Sequence, residues 1–204
     1  MRRSALFIAA LVFLAGCYPQ DGEEEQYVSH VNAFRAEKDS LFLEDKSPLT
    51  EDQIADFSGL HYFDVDPAYR VSAILEKYVI PDTVVMKTTT ERAPEYIKYG
   101  KVTFELQDKK RSLIVFQNVR MIRQGIDTGH LFIPFRDQTS GDLTYGGGRY
   151  IDSELPFGSD SVVLDFNKAY NPYCTYNHKY SCVLPPSENH LTLAIHAGEK
   201  LYDH

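Results

Sequence analysis

Residues 96–119 read YIKYGKVTFELQDKKRSLIVFQNV, and this stretch decides the fold. Apolar and polar side chains alternate from Tyr96 to Leu106, and a second apolar run follows from Ser112 to Val119. A period of two places alternate side chains on opposite faces of a strand. The polar group Asp108-Lys109-Lys110 between the two runs has the chemistry of a turn, so the stretch predicts an antiparallel hairpin. Outward from it the same pattern recurs. Leu60 to Asp64, Tyr69 to Val79, Thr83 to Thr89, His130 to Phe135, Ser161 to Phe166 and Leu191 to His196 all predict strands. Asp66-Pro67, Pro81-Asp82, Ala93-Pro94 and Gly125 to Gly129 punctuate them. Short strands with no helices between them imply a mainly β domain, an antiparallel barrel or sandwich with the barrel preferred.

The N-terminal segment differs. Val28, Val31, Phe34, Leu41 and Phe42 recur at roughly helical spacing between Glu25 and Leu43, predicting one amphipathic helix. Ser47-Pro48 breaks it. Thr50 and Gln53 then have the spacing of a capping box, and Gly59 ends a short second helix over Ile54 and Phe57.

Ahead of the helix lies an export signal. Arg2 and Arg3 precede an unbroken apolar stretch from Ala5 to Ala15. As a helix that stretch reaches about 16 Å, too short for a hydrocarbon core of roughly 30 Å. Leu14-Ala15-Gly16-Cys17 resembles the lipobox of bacterial lipoproteins. That resemblance implies cleavage before Cys17, lipidation of its thiol, and a cell-envelope location on a bacterial membrane. Residues 1–16 are then signal peptide, 17–26 an acidic tether, and 27–204 a single domain. The tether carries Asp21, Glu23, Glu24 and Glu25, so the partner membrane is held by acyl chains and not by charge.

The formal net charge is -8, from 21 basic and 29 acidic residues, and no basic face is visible. Nucleic acid is therefore not an expected partner. Neither a cofactor nor a metal is expected from any motif. Asp127-Thr128-Gly129 carries the triplet of aspartic proteases, yet it sits in a turn and has no second copy. Asp137 to Asp142 lacks calcium-loop spacing, and Ser140 lacks a GxSxG elbow. Tyr145 to Tyr150 places three glycines before Arg149. Their amides and the guanidinium can cradle an anion, or the glycines can serve a tight connection passing close to another strand. Cys174 and Cys182 leave three readings open: a disulfide favoured by export, free thiols, or a zinc set with His178 and His190.

Together, Phe135-Arg136-Asp137, Thr139-Ser140-Gly141, Thr144 to Tyr150, Asp165-Phe166-Asn167, Tyr170-Asn171-Pro172, Cys174, Cys182, Pro185-Pro186, Glu188-Asn189 and Ala197 to Lys200 resemble the bacterial domain-of-unknown-function family 1684. The likeness runs from about Val31 to Leu201 and does not include His178 and His190. It implies a domain found with and without a lipid anchor, and no established activity.

The polar residues of these motifs, Arg136, Asp137, Arg149, Asp165, Asn171, Glu188 and Glu199, are the candidate ligand-binding groups. They suit either a pocket at a barrel mouth for a small anionic or hydroxylated ligand, or a buried network that fixes long loops. A hydrolase built on a carboxylate or Ser/His pair, such as His130 with Asp137, and a structural envelope lipoprotein are the alternatives.

Overall fold

The hairpin forms where the alternation places it. In the computed structural model, which describes residues 20–126 and 129–202, strand β2 (Glu95–Leu106) pairs with β3 (Lys109–Asn118) from Tyr96↔Asn118 to Leu106↔Lys109. Its turn is the pair Gln107-Asp108, one step earlier than the sequence suggested, with φ of 54° at both residues. Two consecutive left-handed residues give the connection whose twist matches that of the flanking strands. The signal segment, Cys17, and Asp127-Thr128 of the protease-like triplet lie outside the described residues.

Six strands make one antiparallel sheet in the order β5-β4-β3-β2-β1-β6. The others are β1 (Arg70–Val85), β4 (His130–Phe135), β5 (Arg149–Glu154) and β6 (Ser161–Asp165). The outer strands β5 and β6 meet, with Ser153 Oγ donating to the Val163 carbonyl at 3.4 Å, so the sheet is a nearly closed barrel. The stretch expected as two strands, Tyr69 to Val79 and Thr83 to Thr89, is the single irregular strand β1. Its ladder with β2 breaks between Lys77 and Asp82, where Pro81 has no N–H to donate and Val79 and Ile80 are exposed. Opposite the break, a Cβ on Gly100 would lie 2.5 Å from the Glu76 carbonyl oxygen, so only glycine lets the strands approach there.

Two expected strands are absent, for a shared reason. Leu60 to Asp64 makes only the isolated bridge Tyr62↔Glu199. Leu191, Leu193 and Ile195 do alternate into the core, but their segment crosses the barrel end. Its carbonyls are taken by Gln138 N–H and by Arg149 instead of a neighbouring ladder. Burial alone can impose period two. Conversely β5 was missed because Arg149, Tyr150 and Ile151 are all buried, one from each side of the sheet in turn.

Helix α1 spans Gln20–Leu41, so most of the segment read as a tether is helical. Acidic Glu23 and Glu24 near its start suit the positive end of the helix dipole. Val31 and Arg35 are buried, whereas Leu41 is exposed. Polar side chains hold the helix to the barrel. Tyr27 Oη donates to Asp165 Oδ1 at 2.7 Å, and Arg35 donates to the carbonyls of Phe63 and Asn167 at 3.0 and 3.2 Å. The short helix α2 (Glu51–Ala55) has the expected capping box of Thr50 with Gln53. No helix among the described residues is long and apolar enough to cross a membrane.

Three apolar clusters result. The largest fills the barrel with Leu75, Val102, Leu113, Ile133, Leu164 and Ile195 among others. A second lies on the outer face, around Tyr96, Phe116, Phe132, Tyr150 and Val183. A third joins Phe42, Leu49, Leu60 and Tyr176 beneath the helical segment.

Candidate functional site

Strand β5 presents two environments through adjacent side chains. Arg149 points into the barrel end and is wholly buried. Its Nη2 donates to Asp137 Oδ2 at 2.8 Å and to the Ile195 carbonyl at 3.0 Å. Its Nη1 donates to the carbonyls of Ala197 and Glu199 at 2.5 and 3.2 Å. The guanidinium thus serves the extended C-terminal segment as a partner strand would. Burial draws its pKa below the ordinary value, while Asp137 pulls the other way. Asp137 Oδ1 in turn accepts from the amide and hydroxyl of Thr139, at 2.6 and 2.5 Å.

Glu199 is the second sealed charge, 1% exposed. It accepts from Lys38 Nζ at 2.6 Å, from the Asn171 amide at 3.1 Å, from Asn171 Nδ2 at 3.0 Å, and from Tyr176 Oη. Burial first, and then this carboxylate, push the Tyr176 phenol well above its usual pKa, so it remains a donor.

The expected candidates therefore divide. Arg149, Asp137, Asn171 and Glu199 come together in pairs, but each faces protein rather than a ligand. Asp165 is half-buried and is occupied by Tyr27 and by the Asn167 amide. Glu188 is exposed and pairs with Lys98 at 3.2 Å, on another part of the surface. Arg136 acts through its backbone, bonded to Asn189 and Leu191. The triple glycine is a close approach and not an anion cradle. Gly148 has φ 93°, and a Cβ there would meet the Phe135 carbonyl oxygen at 2.6 Å and Pro185 at 2.7 Å. Asp137 belongs to the sealed cluster and His130 pairs with Asp152 instead, so the suggested His130–Asp137 pair does not form.

Tyr150, the next residue on β5, points outward and floors an open cleft of about 600 Å³. Phe132 and Tyr96 extend the floor, with Phe132–Tyr150 ring centroids 4.7 Å apart. Phe34 of α1 and Phe42, just past its C-terminal end, form one wall. Tyr173, Tyr180 and Cys182 of the long C-terminal segment form another. Polar groups are few and balanced in charge: Glu37 and Asp152 against Lys38 and Arg92. A second cavity of about 520 Å³ shares Phe34, Asp152 and Tyr170 with the first, so the hollow continues beneath α1. At the junction Asp152 accepts from Tyr170 Oη at 2.7 Å and lies 2.8 Å from His130 Nε2. Burial, reinforced by Asp152, raises the Tyr170 pKa well above its ordinary value and keeps the phenol protonated.

Sequence reasoning named none of the residues lining this cleft as ligand-binding groups, although Tyr150, Tyr170 and Cys182 fall within the C-terminal motifs and Tyr173 and Tyr180 between them. It missed Phe34, Phe132, Asp152 and Arg92. Phe34 has helical spacing and reads as core, and Asp152 lies on the unrecognised strand. Cys174 and Cys182 are neighbours, both buried and both free thiols. No group of three or more His, Cys, Asp or Glu that could hold a metal occurs among the described residues.

No functionally curated protein matches the chain. A solution NMR structure of an uncharacterized protein from Haloarcula marismortui is similar to it, with 37% sequence identity and a TM-score of 0.68. The likeness covers 89% of this chain and 97% of that one. The family profile described as "Protein of unknown function (DUF1684)" matches residues 55–200, which takes in the whole barrel, the sealed charges and the C-terminal wall of the cleft. The chain belongs to the DUF1684 family.

Proposed function

We propose that the protein is a lipoprotein of the bacterial envelope, anchored through Cys17, whose domain binds a small hydroxylated ligand in the aromatic cleft. The observation that carries the reading is the cleft itself. Ring faces line a hollow of ligand size, while acceptors and donors of balanced charge stand at its edge. Rings stack against the C–H faces of a sugar-like molecule, Glu37 accepts from its hydroxyls, and Arg92 donates. An anionic ligand is less well served, because the most deeply buried cation, Arg149, is shut off from solvent and its Nη1 and Nη2 donate to protein groups. The export signal and lipobox support the anchor.

A hydrolase is the second reading, favoured by one observation, the His130–Asp152 contact beside the cleft. Binding is preferred because both Asp152 oxygens are engaged, one by His130 and the other by Tyr170.

Saturation-transfer NMR of the detergent-solubilised protein with neutral mono- and disaccharides and with sugar phosphates tests the binding reading. Neutral sugars should receive saturation, and Phe34→Ala should weaken it. Preferential binding of the phosphates, insensitive to Phe34→Ala, would refute it. Turnover of any probe would move the assignment to the hydrolase. For the anchor, globomycin should cause an uncleaved precursor to accumulate, and Cys17→Ser should release the protein from membranes.

A further inference from the structure

The two cysteines occupy a position that the cleft alone does not explain. Cys182 is held on one side by backbone pairing to another part of the chain. Its carbonyl accepts from the Thr89 amide at 2.9 Å, its amide donates to Thr89 Oγ1 at 3.1 Å, and Val183 bridges Thr88. Cys174 sits in a 3-10 turn, Tyr173–Thr175, and its amide donates to Cys182 Sγ at 3.1 Å. Tyr145 Oη lies 3.6 Å from Cys174 Sγ. Both sulfurs are thus confined to one small space from opposite ends of the loop that carries Tyr176, Tyr180 and Ser181. Cys182 also lines the cleft, which gives a reagent from solvent a route to the pair.

We propose that Cys174 and Cys182 form a reversible disulfide site in the cleft wall, closed and opened by thiol–disulfide exchange with a disulfide of the envelope. In the closing reaction one cysteine thiolate attacks a sulfur of the oxidant disulfide, forming a mixed disulfide and releasing one thiolate. The second cysteine then attacks its partner's sulfur and expels the other half of the oxidant. Two S–H bonds are lost and one S–S bond is gained. The oxidant's own S–S bond is broken, and the two protons and two electrons pass to it, so that it leaves as two thiols. The pair is prepared for this step. A hydrogen bond from Cys182 draws the Cys174 thiol down to about 6, and the same shared bond, together with burial, pushes Cys182 up. The shared bond favours ionisation of Cys174 over Cys182, which makes Cys174 the attacking group and Cys182 the resolving one.

The consequence is mechanical. Cross-linking the two ends of the Cys174–Cys182 loop restricts its opening and stiffens the wall formed by Tyr173, Tyr180 and Ser181. This site stands independently of what the cleft binds.

The test uses the full-length protein equilibrated with excess glutathione disulfide, then acid-quenched, alkylated and digested with trypsin. Cleavage after Lys168, Lys179 and Lys200 puts the cysteines on separate peptides, so a disulfide appears as a linked pair. Linked peptides should replace both alkylated ones together, and dithiothreitol should restore them. Backbone hydrogen exchange over residues 173–183 should slow at least about tenfold on oxidation. Cys182→Ala, checked for folding by circular dichroism, should show no such slowing. Cysteines that stay alkylatable, or that end as separate glutathione adducts, overturn the site. Slowing that persists in Cys182→Ala, or that is absent from the linked wild type, overturns the stiffening. Should Cys182→Ala fail to fold, the wild-type peptide and exchange measurements still decide both points.

Discussion

Arg149 and Tyr150 are neighbours on one strand and belong to different parts of the molecule. The alternation of a strand sends the first into the barrel end and the second into the open cleft. Around Arg149 every charge has partners and no solvent. Around Tyr150 the rings are packed against one another and border an open hollow. The contrast separates residues that hold the fold from residues available to a ligand. A guanidinium whose Nη1 and Nη2 donate to three carbonyls and a carboxylate, and which solvent does not reach, is not placed to select a ligand by charge. An aromatic face bordering a cleft still has apolar surface to cover.

The largest expected effect comes from breaking the sealed side. Arg149→Met should lower unfolding stability by about 3–5 kcal/mol in urea titrations, because Asp137 is left as an uncompensated buried charge. Asp137→Asn together with Arg149→Met should recover part of that loss, since the pair rather than either charge is what the site tolerates. Destabilisation of the double variant beyond the single one would show that Asp137 is stabilised by Thr139 alone.

Gly148→Ala tests the backbone that separates the two faces. The left-handed φ and the overlap with the Phe135 carbonyl should cost about 1–3 kcal/mol in the same titrations. An unchanged midpoint would mean that the turn before β5 is free to relax.

On the open side, Phe34→Ala should leave the fold intact and weaken sugar binding about tenfold, equivalent to about 1.4 kcal/mol. If its main effect is on the unfolding midpoint, Phe34 belongs with the sealed residues. The smallest effect is expected for Glu37→Gln, an exposed carboxylate at the cleft edge. Sugar affinity should fall about threefold, with stability unchanged, because a carboxylate accepts more strongly than an amide oxygen. A gain in affinity would point to an anionic ligand instead.

The sequence by itself determined the hairpin β2–β3, the strands β4 and β6, the capping box at Thr50, and the class of the domain. Each rests on local periodicity or local turn chemistry, and those act over a few residues. Family membership was legible in the C-terminal motifs for a related reason, as many short signatures in order are jointly specific. Tertiary structure decided what those motifs face. Leu191 to Ile195 alternate like a strand because one face is buried, yet the Leu193 carbonyl ends on the Gln138 amide and the Ile195 carbonyl on Arg149, 46 residues away in sequence. Arg149 and Glu199 look like ligand groups in the sequence, since nothing local shows that Asp137, Lys38, Asn171 and Tyr176 converge on them. Asp152 and Phe34 were invisible for the opposite reason. Each is ordinary in its own element, and only the docking of α1 on Phe63, Asp165 and Asn167, across the hollow from β4 and β5, makes them two edges of one cleft.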